Sequence, residues 1–244
     1  MANKVALIAG GARGIGRAIG ISLAENGFSI ALCYRKSTAD AKSTVEEIER
    51  KGGKGYEEKC DVSDNKAVER FVSNVEEEFG KIDVLINCVG PYHRVNILNE
   101  SIEGWHSMYD NNLHPVFYLT RAVASGMIER KWGRIINFSM ANADKLIAQT
   151  EITAHYIAKA GILILTRSFA RQLAPHGITV NAISPGFINS GSAPEEELES
   201  LVKRIPAGYI GNTKDAVDTV NFLISEKAKY INGSNIHLSG GWGL

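Results

Sequence analysis

Cysteine is scarce in this chain of 244 residues: there are three, Cys33, Cys60 and Cys88, far apart, with no CxxC and no Cys/His cluster. An odd, sparse set reads as reduced, buried thiols, and argues against a disulfide framework or a cysteine-held metal. Net charge is also absent, because Lys+Arg and Asp+Glu number 27 each. No long-range field then draws in nucleic acid or an anionic membrane, although a neutral total leaves room for a local basic pocket. No run approaches the roughly 20 apolar residues of a membrane span. The opening MANKVALIAGG carries one lysine and too short an apolar run for a secretion signal, so a cytoplasmic protein is expected. No Pro/Ser/Gly-rich linker, charge block or internal repeat divides the chain, and one domain over residues 1–244 is expected.

What is present is ordinary for a globular protein, with 44% hydrophobic and 22% charged residues. Short β-rich runs alternate with longer amphipathic stretches throughout. Val5–Ala9, Ser29–Tyr34, Gly55–Cys60, Val84–Asn87, Arg134–Ser139, Thr179–Ile183 and Asn235–Leu238 read as strands. Gly14–Asn26, Ala39–Lys51, Asn65–Phe79, Leu113–Arg130, Ala154–Ala174 and Lys214–Ser225 read as helices. Runs such as Val84-Leu85-Ile86 do not alternate, as suits parallel strands buried on both faces. The pattern predicts an α/β fold: a single doubly wound parallel-sheet Rossmann domain with helices on both faces. The stretch Asn189–Pro206, with the acidic run Glu195-Glu196-Glu197, fits both a solvated helix N-terminus and a lid over a substrate cleft.

The first strand runs directly into Gly10-Gly11-Ala12-Arg13-Gly14-Ile15-Gly16, and a helical pattern follows. Glycines there let the backbone turn sharply and approach a pyrophosphate, whose charge sits at a helix N-terminus. The spacing is G-x-x-x-G-x-G rather than the general G-x-G-x-x-G. With this spacing the chain resembles the short-chain dehydrogenase/reductase family. Further matches come in family order: Cys60-Asp61-Val62, Asn87-Cys88-Val89-Gly90, Asn112-Leu113 at the next helix, Lys159-Ala160-Gly161, Asn181 to Gly186, Ser190, and Ser239-Gly240-Gly241. Ala9 departs, standing where the family usually has Thr.

The resemblance implies a dinucleotide site built from Gly10, Arg13, Gly14, Ile15, Gly16, Arg35, Asp61, Val62, Asn87, Gly90, Lys159, Pro185, Gly186 and Ile188. At the end of the second strand an acid would bond the ribose of NAD, whereas a cation would receive the 2′-phosphate of NADP. The strand leads into Cys33-Tyr34-Arg35-Lys36-Ser37 with no acid, and Arg13 adds a second cation, so NADP(H) is expected over NAD(H). No metal is expected.

Family members reduce ketones or oxidise alcohols with a Tyr, a Lys four residues later, a Ser and an Asn. Residues i and i+4 share a helix face, which lets the ammonium act on the phenol. Here Asn112 and Lys159 are in place, but four residues before the lysine is His155, and Tyr156 is only three before. One residue rotates a helical side chain by about 100°, so Tyr156 is expected to point aside and His155 to take its place. The family serine falls at Met140; the adjacent Ser139 is expected to face the other way along a strand.

Three readings stay open. The site is retired, and the protein senses NADP(H) or partners an active relative. Alternatively, His155 donates the proton. In the third, a local irregularity returns Tyr156 and Ser139 to the site. Within the family the chain looks most like the 3-oxoacyl-[acyl-carrier-protein] reductases, implying a small-molecule carbonyl or alcohol substrate and a homotetramer. Arg130, Lys131 and Arg171 are candidates to receive an acidic carrier protein.

Overall fold

The computed structural model describes residues 4–190 and 200–244. Seven parallel strands form its sheet: β1 (Val5–Ala9), β2 (Ser29–Tyr34), β3 (Lys54–Lys59), β4 (Val84–Asn87), β5 (Gly133–Phe138), β6 (Ile178–Pro185) and β9 (Asn235–Leu238). Their order is β3-β2-β1-β4-β5-β6-β9. A separate two-stranded ladder joins β7 (Ile188–Asn189) to β8 (Gly211–Asn212).

The inner strands are largely apolar on both faces because helices cover both. In β1, Ala6 and Ile8 point to one layer, where they meet Ile19 and Leu23 of α1 (Gly14–Glu25), Ile48 of α2 (Thr38–Arg50) and Val220 of α7 (Thr213–Ile224). Val5, Leu7 and Ala9 point to the other. There they meet Phe71 and Val75 of α3 (Asn65–Phe79), Leu119 and Val123 of α5 (His114–Arg130) and Leu173 of α6 (Thr153–Leu173). Each fully buried side chain of this size contributes roughly 1.5–3 kcal/mol, which is why the two-sided apolar pattern enforces two helical layers.

Strand order reverses between β1 and β4, and a doubly wound sheet opens its ligand crevice there, beyond the carboxyl ends of the strands. Most expected elements appear within a residue or two of the bounds read from sequence. The exception is α4 (Ile102–Asn112), which was not foreseen: it carries a glycine and buries only Met108 and Asn112, so it has little apolar stripe to read. Asn112 therefore closes α4 rather than opening the next helix, and Leu113 is the joint between the two. Of the stretch 189–206 suggested as a lid, residues 191–199 lie outside the described residues.

Candidate active site

A cavity of about 770 Å³ lies at the switch point, walled by the loops after β1, β2, β3 and β4. Its floor is the N-terminus of α1. That helix has no acid in its first turn, and Arg13 at its N-cap makes no side-chain cap bond, so the first N–H groups remain available to an anion. Gly16 is required by packing: a Cβ there would stand 2.3 Å from the Gly10 carbonyl oxygen. This cradle fits a pyrophosphate.

Gly10, Arg13, Gly14, Arg35, Asp61, Val62 and Gly90 all line the cavity. Arg13 reaches Asp40 at 3.7 Å, and Arg35 donates through Nη1 to Asn111 Oδ1 at 2.6 Å. With Lys36 they make one rim of the cavity basic. Asp61 Oδ1 accepts from the Ser63 N–H and Oγ at 3.1 and 2.7 Å, fixing the turn after β3.

The remaining expected residues stand in the framework around the cavity. Asn87 donates to Asn137 Oδ1 at 2.8 Å, and Asn137 donates to Thr166 Oγ1 on α6 at 2.9 Å. Pro185 accepts from the Ala141 N–H, Gly186 donates to Leu238, Ile188 lies in the small β7–β8 ladder, and Ile15 packs against the core.

At the β4 end of the cavity, Gly90, Asn112, Lys159 and His155 come together. Gly90 has φ +149°, and a Cβ there would fall 2.2 Å from Asn112 Oδ1 and 3.0 Å from Lys159 Nζ. Asn112 donates through Nδ2 to the Pro91 carbonyl at 3.1 Å, while its buried Oδ1 has no partner among the described residues. Lys159 donates to the Phe138 carbonyl at 3.0 Å, and burial pushes its ammonium down to about 8. His155 is buried with its ring edge-on to Tyr92, centroids 5.3 Å apart. Burial first, and then the Lys159 charge, hold its pKa down to about 4, although a hydrogen bond to the Pro91 backbone opposes the shift. The His155 ring is therefore neutral at pH 7.

Neither hydroxyl is free. Helix α6 runs unbroken through this region. The Tyr156 hydroxyl donates to the Asn142 carbonyl at 2.7 Å and accepts from the Ile147 N–H at 3.2 Å. Ser139 Oγ donates to the Lys159 carbonyl at 2.8 Å. Met140 packs against the small apolar cluster containing Tyr156, Ala143 and Leu163.

Sequence reasoning missed Pro91, whose carbonyl ties Asn112 to the His155 ring, and Asn111, which holds Arg35. It also missed His93, paired at 2.7 Å with Glu100 beside the site. The Arg35–Asn111 and Asn112–Pro91 bonds join residues 76 and 21 apart in the chain, and no local spacing announces them. Arg130, Lys131 and Arg171 lie where helices end and β5 and β6 begin, at the sheet edge opposite the cavity. Within one copy they do not reach its mouth, and Arg130 is bonded to the Ile82 carbonyl.

Two-sided helical cover, strand order and a glycine-floored cavity at the switch point define a doubly wound α/β protein of the Rossmann type. A family model described as Enoyl-(Acyl carrier protein) reductase matches residues 10–243. The chain is 39% identical over 243 residues to the 3-oxoacyl-[acyl-carrier-protein] reductase FabG of Staphylococcus aureus (strain N315), covering 98% of each. It is 34% identical over 240 residues to the 3-oxoacyl-[acyl-carrier-protein] reductase of Synechocystis, covering 98% of this chain and 96% of that one. The corresponding protein of Haemophilus influenzae is 34% identical over 246 residues, covering 99% and 98%. The chain belongs to the short-chain dehydrogenase/reductase family. Among the described residues no helix is long and apolar enough to cross a membrane, and no group of side chains could hold a metal.

Proposed function

We propose that the chain is an NADP(H)-dependent oxidoreductase acting on the keto or hydroxy group of a 3-oxoacyl thioester, with an altered proton-donating apparatus. Its relatives, the 3-oxoacyl-[acyl-carrier-protein] reductases, suggest the substrate class and a carrier-protein partner. The basic rim of Arg13, Arg35 and Lys36 supports NADP(H) over NAD(H), because a 2′-phosphate carries charge that a ribose hydroxyl lacks.

The convergence of Asn112, His155 and Lys159 on the backbone of Gly90 and Pro91 carries the reading. A bound reduced nicotinamide supplies a hydride to a carbonyl carbon, and the carbonyl oxygen then needs a proton. A neutral imidazole is a weak acid, whereas a Lys159 ammonium pushed down to about 8 is protonated at pH 7 and ready to release. Lys159 then gives the proton, and His155 orients the substrate oxygen or passes the proton on. Asn112 Oδ1 offers a buried acceptor at the same point.

The bonding of both hydroxyls to backbone carbonyls favours a second reading, in which NADP(H) is bound without turnover by a sensor or a partner subunit. One assay separates the two. NADPH consumption with a 3-oxoacyl thioester, lost in Lys159→Met and His155→Ala, establishes the reductase. Tight NADPH binding without consumption across a broad carbonyl panel establishes the binding protein. We place the protein in the cytoplasm, in keeping with its three cysteines being free thiols, and assign it a homotetramer and one domain over residues 1–244.

A further inference from the structure

Two of the three thiols stand side by side in the cavity wall. Cys33 is the penultimate residue of β2, and Cys60 directly follows β3, where its N–H donates to the Tyr34 carbonyl at 2.9 Å and extends the ladder by a rung. The ladder pairs Cys33 with Glu58, two residues before Cys60, so both side chains lie on one face of the sheet, in the same buried cluster, and the two thiols influence each other. Both residues are almost wholly covered, at 1% and 4% exposed, yet both line the cavity, so what reaches them comes through it. Their neighbours in sequence, Tyr34 and Arg35 after one, Asp61 and Val62 after the other, line the same cavity. The function proposed above does not use the pair.

We propose that Cys33 and Cys60 are a redox modification site. They form a dithiol that closes to a disulfide by exchange with a small disulfide entering through the cavity, and closure weakens dinucleotide binding. Cys60 attacks first, because the neighbouring Cys33 pulls its thiol below the usual range while Cys33 is pushed up. The Cys60 thiolate bonds to one sulfur of the small disulfide, whose S–S bond breaks and releases one small thiol. The Cys33 sulfur then bonds to the Cys60 sulfur and its proton passes to the departing group, releasing the second small thiol. The protein loses two electrons and two protons, and the small disulfide gains both. Cys88 takes no part: burial pushes its thiol up to about 12, which keeps it protonated and unreactive. Drawing the sulfurs to a bond of about 2.05 Å moves the ends of β2 and β3 together and shifts Arg35 and Asp61 with them. The coupling to binding rests on the dinucleotide reading; the thiol chemistry does not.

Digestion with trypsin tests it, because the three cysteines fall in separate peptides, 18–35, 60–66 and 82–94. The full chain is incubated with 2-hydroxyethyl disulfide, with and without NADPH, quenched in acid, blocked with N-ethylmaleimide and digested without reductant. The expected product is peptide 18–35 joined to peptide 60–66, with Cys88 blocked. NADPH at about 100 times its Kd should slow closure about 100-fold, since only the unliganded fraction reacts. The disulfide form should bind NADPH about tenfold more weakly and recover with dithiothreitol. Recovery of both peptides separately blocked, or carrying only mixed disulfides, overturns the site. A joined peptide in a protein that binds no NADPH even when reduced sustains the site and removes the dinucleotide reading. NADPH that binds without protecting, or that binds the disulfide form equally well, overturns the coupling. Peptide mapping of the unmodified sequence keeps the test independent of whether Cys60→Ala folds; in that variant no joined peptide should form.

Discussion

The hydroxyl of Tyr156 donates a hydrogen bond to the carbonyl oxygen of Asn142 at 2.7 Å and accepts one from the N–H of Ile147, so the phenol braces the loop after β5 instead of facing the cavity. Tyr156→Phe should accordingly cost stability and leave catalysis alone. A buried neutral hydrogen bond is worth about 0.5–1.5 kcal/mol, and a little more if the Asn142 carbonyl is left unpaired. Urea unfolding should show that loss, while NADPH-linked turnover stays within about twofold of the starting value. Abolished turnover with unchanged stability would show that Tyr156 is the proton donor after all.

Restoring a phenol and a hydroxyl at the two substituted positions should raise ketone reduction. The double change His155→Tyr and Met140→Ser puts the phenol four residues before Lys159, on its helix face, and a hydroxyl at the end of β5. Positioned acid–base groups contribute on the order of 10²–10⁴-fold, so NADPH absorbance with a simple ketone should register the gain. No gain in a folded, NADPH-binding variant would sink the register argument.

Stability should rise with pH in two separate windows. His155 is held down to about 4, so from about pH 6.5 to pH 4 the unfolded chain takes up a proton that the folded chain refuses. Its contribution is complete above that range and is lost as pH falls, by up to about 1.4 kcal/mol per pH unit. Lys159 is held down to about 8, so between pH 8 and about 10.4 the folded chain gives up a proton that the unfolded chain still holds, and stability again climbs with pH. Denaturation midpoints across pH, compared with His155→Gln and Lys159→Met, check both. His155→Gln should flatten the lower window alone, whereas Lys159→Met should flatten the upper window and also narrow the lower one, because it removes a charge that helps hold His155 down.

Arg35→Ala should lower NADPH affinity on the order of tenfold and leave NADH nearly untouched, because a charge-assisted bond to the 2′-phosphate is lost in one complex only. Asn111→Ala should do the same more weakly, since Asn111 holds the guanidinium in place at 2.6 Å. Isothermal titration with both cofactors decides it; equal losses for the two would remove the NADP(H) assignment.

Ile157 and Ile164 on α6 are 43% and 64% exposed, and Phe117 on α5 is 39% exposed, a run of apolar side chains on the outer surface of these two helices. In the proposed tetramer they are covered. Light scattering should give four copies per particle at micromolar concentration, and Ile164→Asp should give smaller particles. A monomer in the unmodified protein refutes the assembly.

The sequence made the inner strands plain because β1, β2 and β4 are short apolar runs closed by turns, and burial on both faces leaves no competing period. It made His155 and Tyr156 distinguishable because helix geometry is fixed over four residues. It did not reveal α4, whose stripe is too thin, nor the destination of Ser139, whose hydroxyl ends on a backbone carbonyl 20 residues away. The pairing of Arg35 with Asn111 spans 76 residues and has no local signature at all. Contacts made by tertiary approach leave their trace in coordinates, not in spacing.

Helix α6 is fastened to the end of β5 at three levels. Asn137 donates to Thr166, Ser139 to the Lys159 carbonyl, and Lys159 itself to the Phe138 carbonyl. Sliding the helix by one residue would break all three together. A lineage descending from this chain therefore has no gradual route by which Tyr156 drifts into the position His155 now holds. The phenol can return by substitution at position 155, or by a single residue inserted between Tyr156 and Lys159, which leaves all three bonds in register. The same fastening makes the arrangement durable: while the three bonds hold, the helix keeps His155 at its present place above Lys159.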